Sequence, residues 1–158
     1  MNRAENGNAA ETARADFIGK IGVIVQSEGL PRIAGRVLAM LLYDGQQVSF
    51  RQLADALQVS RRSVSSSVRM LESQRLIKRV AKVGDRQDYF QVVDNVFASM
   101  VEAQATRVRP AALDIEESEQ DIPASETGPG ERVAAYAAYY RAMGEGLDTT
   151  VMALRKNR

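Results

Sequence analysis

The 158-residue chain contains no cysteine and no histidine. Their absence excludes disulfides, thiolate or imidazole metal sites, Cys or His catalysis and thiol redox sensing. No apolar run approaches the ~18 to 20 residues needed to span a bilayer, and the polar start MNRAENGNAAETARAD lacks the apolar core of a secretory signal. A cytoplasmic location is the expectation. Also missing are a Gly-rich phosphate loop and a nucleophile–base pair. Ser65-Ser66-Ser67 has no partner base and reads as small polar helix surface, so neither an enzyme nor a cofactor or metal is expected.

What is present is the balance of a globular protein, with 45% apolar and 26% charged residues, enough to bury a core without metals or disulfides. The net charge of +1 conceals a division along the chain. Between Arg32 and Val92 eleven Arg or Lys face five acids, a net +6. Between Asp94 and Glu131 nine acids face two arginines, a net −7. A basic block beside an acidic one is expected when one region faces phosphates and the other does not.

Phe17, Ile18, Ile21, Ile24 and Val25 recur at helical spacing, and Ile33, Val37, Leu38, Leu41 and Leu42 repeat the pattern after Gly29-Leu30-Pro31. Asp44-Gly45 ends the second helix. Ser49 with Gln52 three residues on has the spacing of a capping box, opening a third helix that runs to about Leu57. Gln58-Val59-Ser60 separates it from a fourth helix beginning at Arg61, with Ser60 as N-cap. Two short helices joined by three residues form a helix-turn-helix. Residues 76–83 and 87–93 then alternate with period two around Gly84-Asp85-Arg86, a hairpin that serves as a wing.

On a helical wheel of about 100° per residue, Val64, Val68 and Leu71 fall on one side of the fourth helix. Arg62, Ser66, Arg69 and Ser73 point the opposite way, flanked by Ser63 and Ser65. This is the arrangement of a recognition helix (61–74), with Arg62, Ser63, Ser65, Ser66 and Arg69 as candidate major-groove residues. Ser60 and Arg61 suit a phosphate at the helix start, where free N–H groups favour an anion. Lys78, Arg79 and Lys82 are expected to attract the DNA backbone, and Arg86 to enter the minor groove from the wing (76–93) or bind the flanking backbone.

After Asp94, the face of Val96, Phe97, Met100, Val101 and Val108 predicts another helix, which Pro110 is expected to end or interrupt. The acidic stretch 111–130 reads as a short helix plus a linker. Val133, Tyr140, Leu147 and Leu154 then recur every seven residues, with Tyr136, Met143 and Thr150 between them, a heptad seam that suits pairing between two copies. Gly144 and Gly146 inside it mark a kink or a close backbone contact. The domain reading is a disordered N-terminus (1–12), an N-terminal helix plus winged helix-turn-helix (13–93) and a C-terminal helical dimerisation region (94–158).

GLPRIAGRVLAMLLYDGQQVSFRQLADALQVSRRSVSSSVRMLESQRLIKRVAKVGDRQDYFQV resembles the GbsR-like branch of the MarR superfamily of bacterial regulators. The likeness rests on Gly29-Leu30-Pro31-Arg32, Ser60 to Ser65, and Gly84-Asp85-Arg86 through Tyr89. It implies a mainly α fold with a small β-hairpin, dimers held by helices from both chain ends, and a homodimeric repressor reading a near-palindromic operator. In this chain the interface would use Val133, Tyr136, Tyr140, Met143, Leu147 and Leu154. The branch is linked to small-molecule effectors, but no residue pattern assigns one, and Tyr136, Tyr139 and Tyr140 read as helix packing and surface rather than a cation cage. Gln58 departs from the glycine many helix-turn-helices place at its position. The competing reading is a winged-helix protein-interaction module whose basic face meets an acidic partner, since the fold alone does not dictate DNA binding.

Overall fold

A computed structural model describes residues 3–156, which form six helices and a three-stranded sheet. They divide into two compact units, one up to Val96 and one from Phe97 onward. The fold is the expected one, mainly helical with a small hairpin wing.

In the first unit, α1 (Arg3–Ser27) packs along α2 (Arg32–Asp44). The helix begins well inside the segment expected to be disordered, and of that stretch only residues 1–2 lie outside the described region. Ile18 and Val25 are buried as the helical spacing implies, but Ile24 is half exposed beside Val23. Helix α2 is buried on nearly every side from Ala34 to Leu41, which makes it the centre of the unit. Pro31 precedes it in extended conformation, and Gly45 closes it in the left-handed region at φ 61°. A bidentate ion pair from Arg14 to Asp44, 2.7 Å at each oxygen, ties α1 to the end of α2.

Strand β1 is only Val48–Ser49, after which α3 (Phe50–Leu57) starts on the expected capping box. The N–H of Gln52 donates to Ser49 Oγ at 3.2 Å, and the N–H of Ser49 donates to Gln52 Oε1 at 2.8 Å. Helix α4 (Arg61–Ser73) follows, then β2 (Ile77–Ala81) and β3 (Asp88–Val92). The sheet order is β1-β3-β2, all antiparallel, with Val48 opposite Phe90 and Arg79 also opposite Phe90. Phe90 is thus the central side chain of the sheet and is almost wholly buried.

The second unit is a helical hairpin of α5 (Val96–Gln120) and α6 (Thr127–Lys156). Two expectations fail here. Helix α5 runs through Pro110 without ending, and the proposed linker reduces to residues 121–126. Pro110 forfeits one backbone hydrogen bond, yet the helix continues past it, with ion pairs to α6 on both sides, from Arg109 to Asp148 and from Glu116 to Arg141. Pro129 falls in the first turn of α6, where its missing N–H has no intrahelical partner to lose.

The pairing of Glu102 with Arg155, Arg109 with Asp148 and Glu116 with Arg141 fixes an antiparallel register that advances by seven residues on each helix. The buried positions keep the same interval, Ala98, Ala105 and Ala112 on α5 and Ala137, Gly144 and Val151 on α6. The buried line on α6 lies about 40° round the helix from Val133, Tyr140, Leu147 and Leu154, which are only half-buried. The helix therefore packs within its own chain on one edge of its apolar stripe and leaves the predicted seam only partly covered in the single chain.

Candidate nucleic-acid interface

Ser60 caps α4 as its sequence implies, accepting the N–H of Ser63 at 3.1 Å and sharing a hydroxyl hydrogen bond of 2.9 Å with Ser63. The turn before it is made by Gln58, whose φ is 52°. A non-glycine residue thus occupies the left-handed region that the helix-turn-helix requires. Its side chain donates to Asp55 O at 2.7 Å, which offsets part of the strain.

Val64, Val68 and Leu71 are buried and Arg62, Ser66, Arg69 and Ser73 are exposed, so α4 has the two faces expected. Ser67, read with its neighbours as surface, is instead buried. It lies only about 60° from Val64 on the wheel, inside the apolar arc. Arg61 and Arg62 make no side-chain hydrogen bond or ion pair among the described residues. Arg69 folds back along the helix, donating to Ser65 O at 3.2 Å and Ser65 Oγ at 2.8 Å, so these two groups act together. Arg36, counted within the basic block, is spoken for: it donates to Leu57 O at 3.1 Å, the carbonyl end of α3.

The wing separates residues that the sequence grouped together. Period two puts Lys78 on one face of β2, the side that Lys82 continues just past the strand's end, and Arg79 on the other, opposite Phe90. Lys78 is exposed. Lys82 rests its ammonium 3.8 Å from the Tyr89 ring centroid. Arg79, expected to attract the DNA backbone, is engaged with Glu72 and Asp88 in the chain alone. Asp85 accepts the Tyr89 hydroxyl at 2.7 Å and the Gln87 N–H at 2.9 Å. Those donors, the Gln87 N–H foremost, hold its carboxyl below its ordinary pKa. With Asp85 and Asp88 thus occupied, Arg86 makes no ion pair among the described residues and stands exposed beside a fully exposed Val83.

Among the described residues no group of acids is arranged to hold a metal, and no helix is long and apolar enough to cross a membrane. Alternation alone signalled the two faces of β2. Nothing in the sequence pointed to the pairs Arg79–Glu72 or Lys82–Tyr89.

A four-helix core, a helix-turn-helix and a hairpin wing with these exposed arginines define a winged helix-turn-helix protein. Residues 28–88 match the model of the MarR family. It is 36% identical over 104 residues to the HTH-type transcriptional regulator MmpR5 of Mycobacterium tuberculosis, a match covering 65% of this chain and 61% of that protein. It is also similar to a transcriptional regulator of known crystal structure, with 28% identity and a TM-score of 0.59 over 91% of this chain and 94% of the other.

Proposed function

We propose that the protein is a sequence-specific DNA-binding transcriptional regulator, acting as a homodimeric repressor on a near-palindromic operator. The observation that carries this reading is the exposed row Arg62, Ser66 and Arg69 on a helix whose opposite face, Val64, Val68 and Leu71, is buried. In this reading Arg62 and Arg69 contact base edges in the major groove, with Ser63, Ser65 and Ser66 allowing close approach. Ser60, Arg61, Lys78 and Lys82 hold the backbone, and Arg86 reaches the minor groove. The related proteins that carry the name transcriptional regulator support it. Assignment to the GbsR-like branch rests on the motifs at residues 29–32, 60–65 and 84–89, and an effector of unassigned chemistry goes with it.

Dimerisation in this reading uses both chain ends. Val23 and Ile24 on α1 are half exposed, and on α6 the seam is only partly covered in the single chain, with Tyr136 exposed and Val133, Tyr140, Met143, Leu147 and Leu154 half-buried. The three tyrosines 136, 139 and 140 pack edge-on or stacked with centroids 5.1 to 6.3 Å apart, a rigid aromatic surface suited to an interface.

The test is binding to the DNA upstream of the protein's own coding sequence across a salt series. Arg62→Ala and Arg69→Ala should each cost about 1 to 3 kcal/mol and relax base preference at one position. Lys78→Ala should weaken binding to all sequences and lower the salt slope by about 1. Specific binding unaffected by either arginine change would sink the proposed readout. A folded dimer that bound no DNA would point to a protein-interaction module.

A further inference from the structure

Arg79 uses its guanidinium on two elements at once. Nε and Nη2 donate to the two carboxylate oxygens of Glu72, at 3.2 and 3.1 Å, in the last turn of α4. Nη1 donates to Asp88 at 2.9 Å, at the start of β3. The same group lies 5.5 Å from the centroid of the Phe90 ring, which is buried in the sheet and fixed. Only a planar fork of donors makes all three contacts together; an ammonium is a single point charge.

We propose that Arg79 is a positioning residue that locks the wing to the C-terminal end of the recognition helix and thereby sets where Arg86 falls relative to the groove face of α4. The proposal rests on the DNA-binding reading above. The wing needs such a lock because strand pairing ends at Ala81 opposite Asp88, leaving residues 82–87 to project beyond the ladder. A two-stranded hairpin is marginally stable by itself, and its only other strand contact is the two-residue β1. The neighbouring Glu72 and Asp88 carboxylates would repel a phosphate, so the surroundings favour the lock over direct DNA contact. Arg79 and its partners remain partly exposed, and ion pairs of that kind contribute little to global stability, so its variants should stay folded.

The experiment has two arms on the full chain, with R79Q, R79K and E72Q, and with R86A made in both the wild-type and R79Q backgrounds. Without DNA, amide exchange across residues 78–91 should quicken in R79Q and R79K while α1 and α2 keep their protection. On the upstream DNA, R79Q and R79K should both weaken binding about tenfold with an unchanged salt slope, and R86A should cost less in R79Q than in wild type. E72Q should weaken binding too, although it removes a negative charge. If Arg79 instead bound phosphate, R79K would keep its affinity, R79Q would lower the salt slope by about 1, and E72Q would tighten binding. Any of those results, or unchanged exchange in the wing, overturns the proposal. Failure of the wild type to bind specific DNA would remove the functional reading alone, with the exchange arm still deciding the lock.

Discussion

Gly35 of α2 lies so close to Val25 of α1 that a Cβ built on it would sit 2.8 Å from the Val25 Cβ, and 3.1 Å from the Cα of Gly22. The two helices meet backbone to backbone at this crossing. Gly35→Ala should therefore destabilise the protein by about 1 to 3 kcal/mol, as overpacking a core does. Gly146→Ala is the contrast, because its Cβ would meet nothing within 4 Å. That change should stabilise by up to about 1 kcal/mol through helix propensity. Urea unfolding of both variants checks the opposite signs.

At Gln58 the backbone φ of 52° sets the outcome. Gln58→Val should cost about 1 to 2 kcal/mol, since a β-branched residue resists the left-handed region more than Gln does. Gln58→Gly should be neutral or stabilising by up to about 1 kcal/mol, its strain relief partly offset by chain entropy and the lost bond to Asp55. Equal destabilisation by Val and Gly in denaturant titrations would refute a backbone origin.

The wing tip should respond to pH in a defined direction. The folded pKa of Asp85 is lowered, first by the Gln87 N–H and then by the Tyr89 hydroxyl, so the contact is present above the ordinary carboxylate pKa and lost as pH falls through the folded value. The Tyr89 hydroxyl is raised by Asp85, so its share holds at neutral pH and disappears as the phenol ionises in alkali. Tyr89→Phe should move the Asp85 pKa upward in an NMR titration. No movement would show that the hydroxyl leaves the carboxylate unaffected in solution.

In the hairpin of α5 and α6, the pairing of Arg109 with Asp148 can be tested by exchange of charge. Arg109→Asp should lower the thermal midpoint, Asp148→Arg should lower it likewise, and the double reversal should recover part of the loss, since the new carboxylate at position 109 would still face Glu102. Raising salt should shrink all three effects, as screening requires. A double variant no better than the worse single one would contradict the register.

Leu147→Glu and Leu154→Glu separate the two edges of α6. Both residues are half-buried in the single chain, outside the Ala137, Gly144 and Val151 line. If the seam pairs copies, sedimentation should find these variants monomeric but still helical. Gly144→Leu should instead lower the thermal midpoint while leaving the dimer intact, because the Cβ takes up the ordinary contact 3.8 Å from Val108 Cγ1 and the rest of the side chain overpacks the buried line.

The order and type of the first four helices and the wing were legible from the sequence because each carries local signals. Ser49 with Gln52, Ser60, Gly45 and the switch from helical to two-residue period act over a few residues and need no distant partner. The opposed faces of α4 follow from the same short-range geometry. The passage through Pro110 was not legible, because a proline lowers local helix propensity whatever lies across from it, and the contacts of α5 with α6 on either side of it involve residues about 25 to 40 positions away.

By itself, then, the sequence determined a winged helix-turn-helix with Arg62, Ser66 and Arg69 on one face and a basic wing. Only the tertiary structure decided which basic residues remain available. Arg36 caps α3, Arg79 joins α4 to the wing, and Lys82 lies on Tyr89, while Arg62 and Arg86 stay unpaired among the described residues. It likewise decided that α6 buries Ala137, Gly144 and Val151 against its own chain. The physical reason is common to both. Periodicity states which side of an element a residue occupies, but the partner that takes up a charge or covers an apolar edge is supplied by another part of the chain.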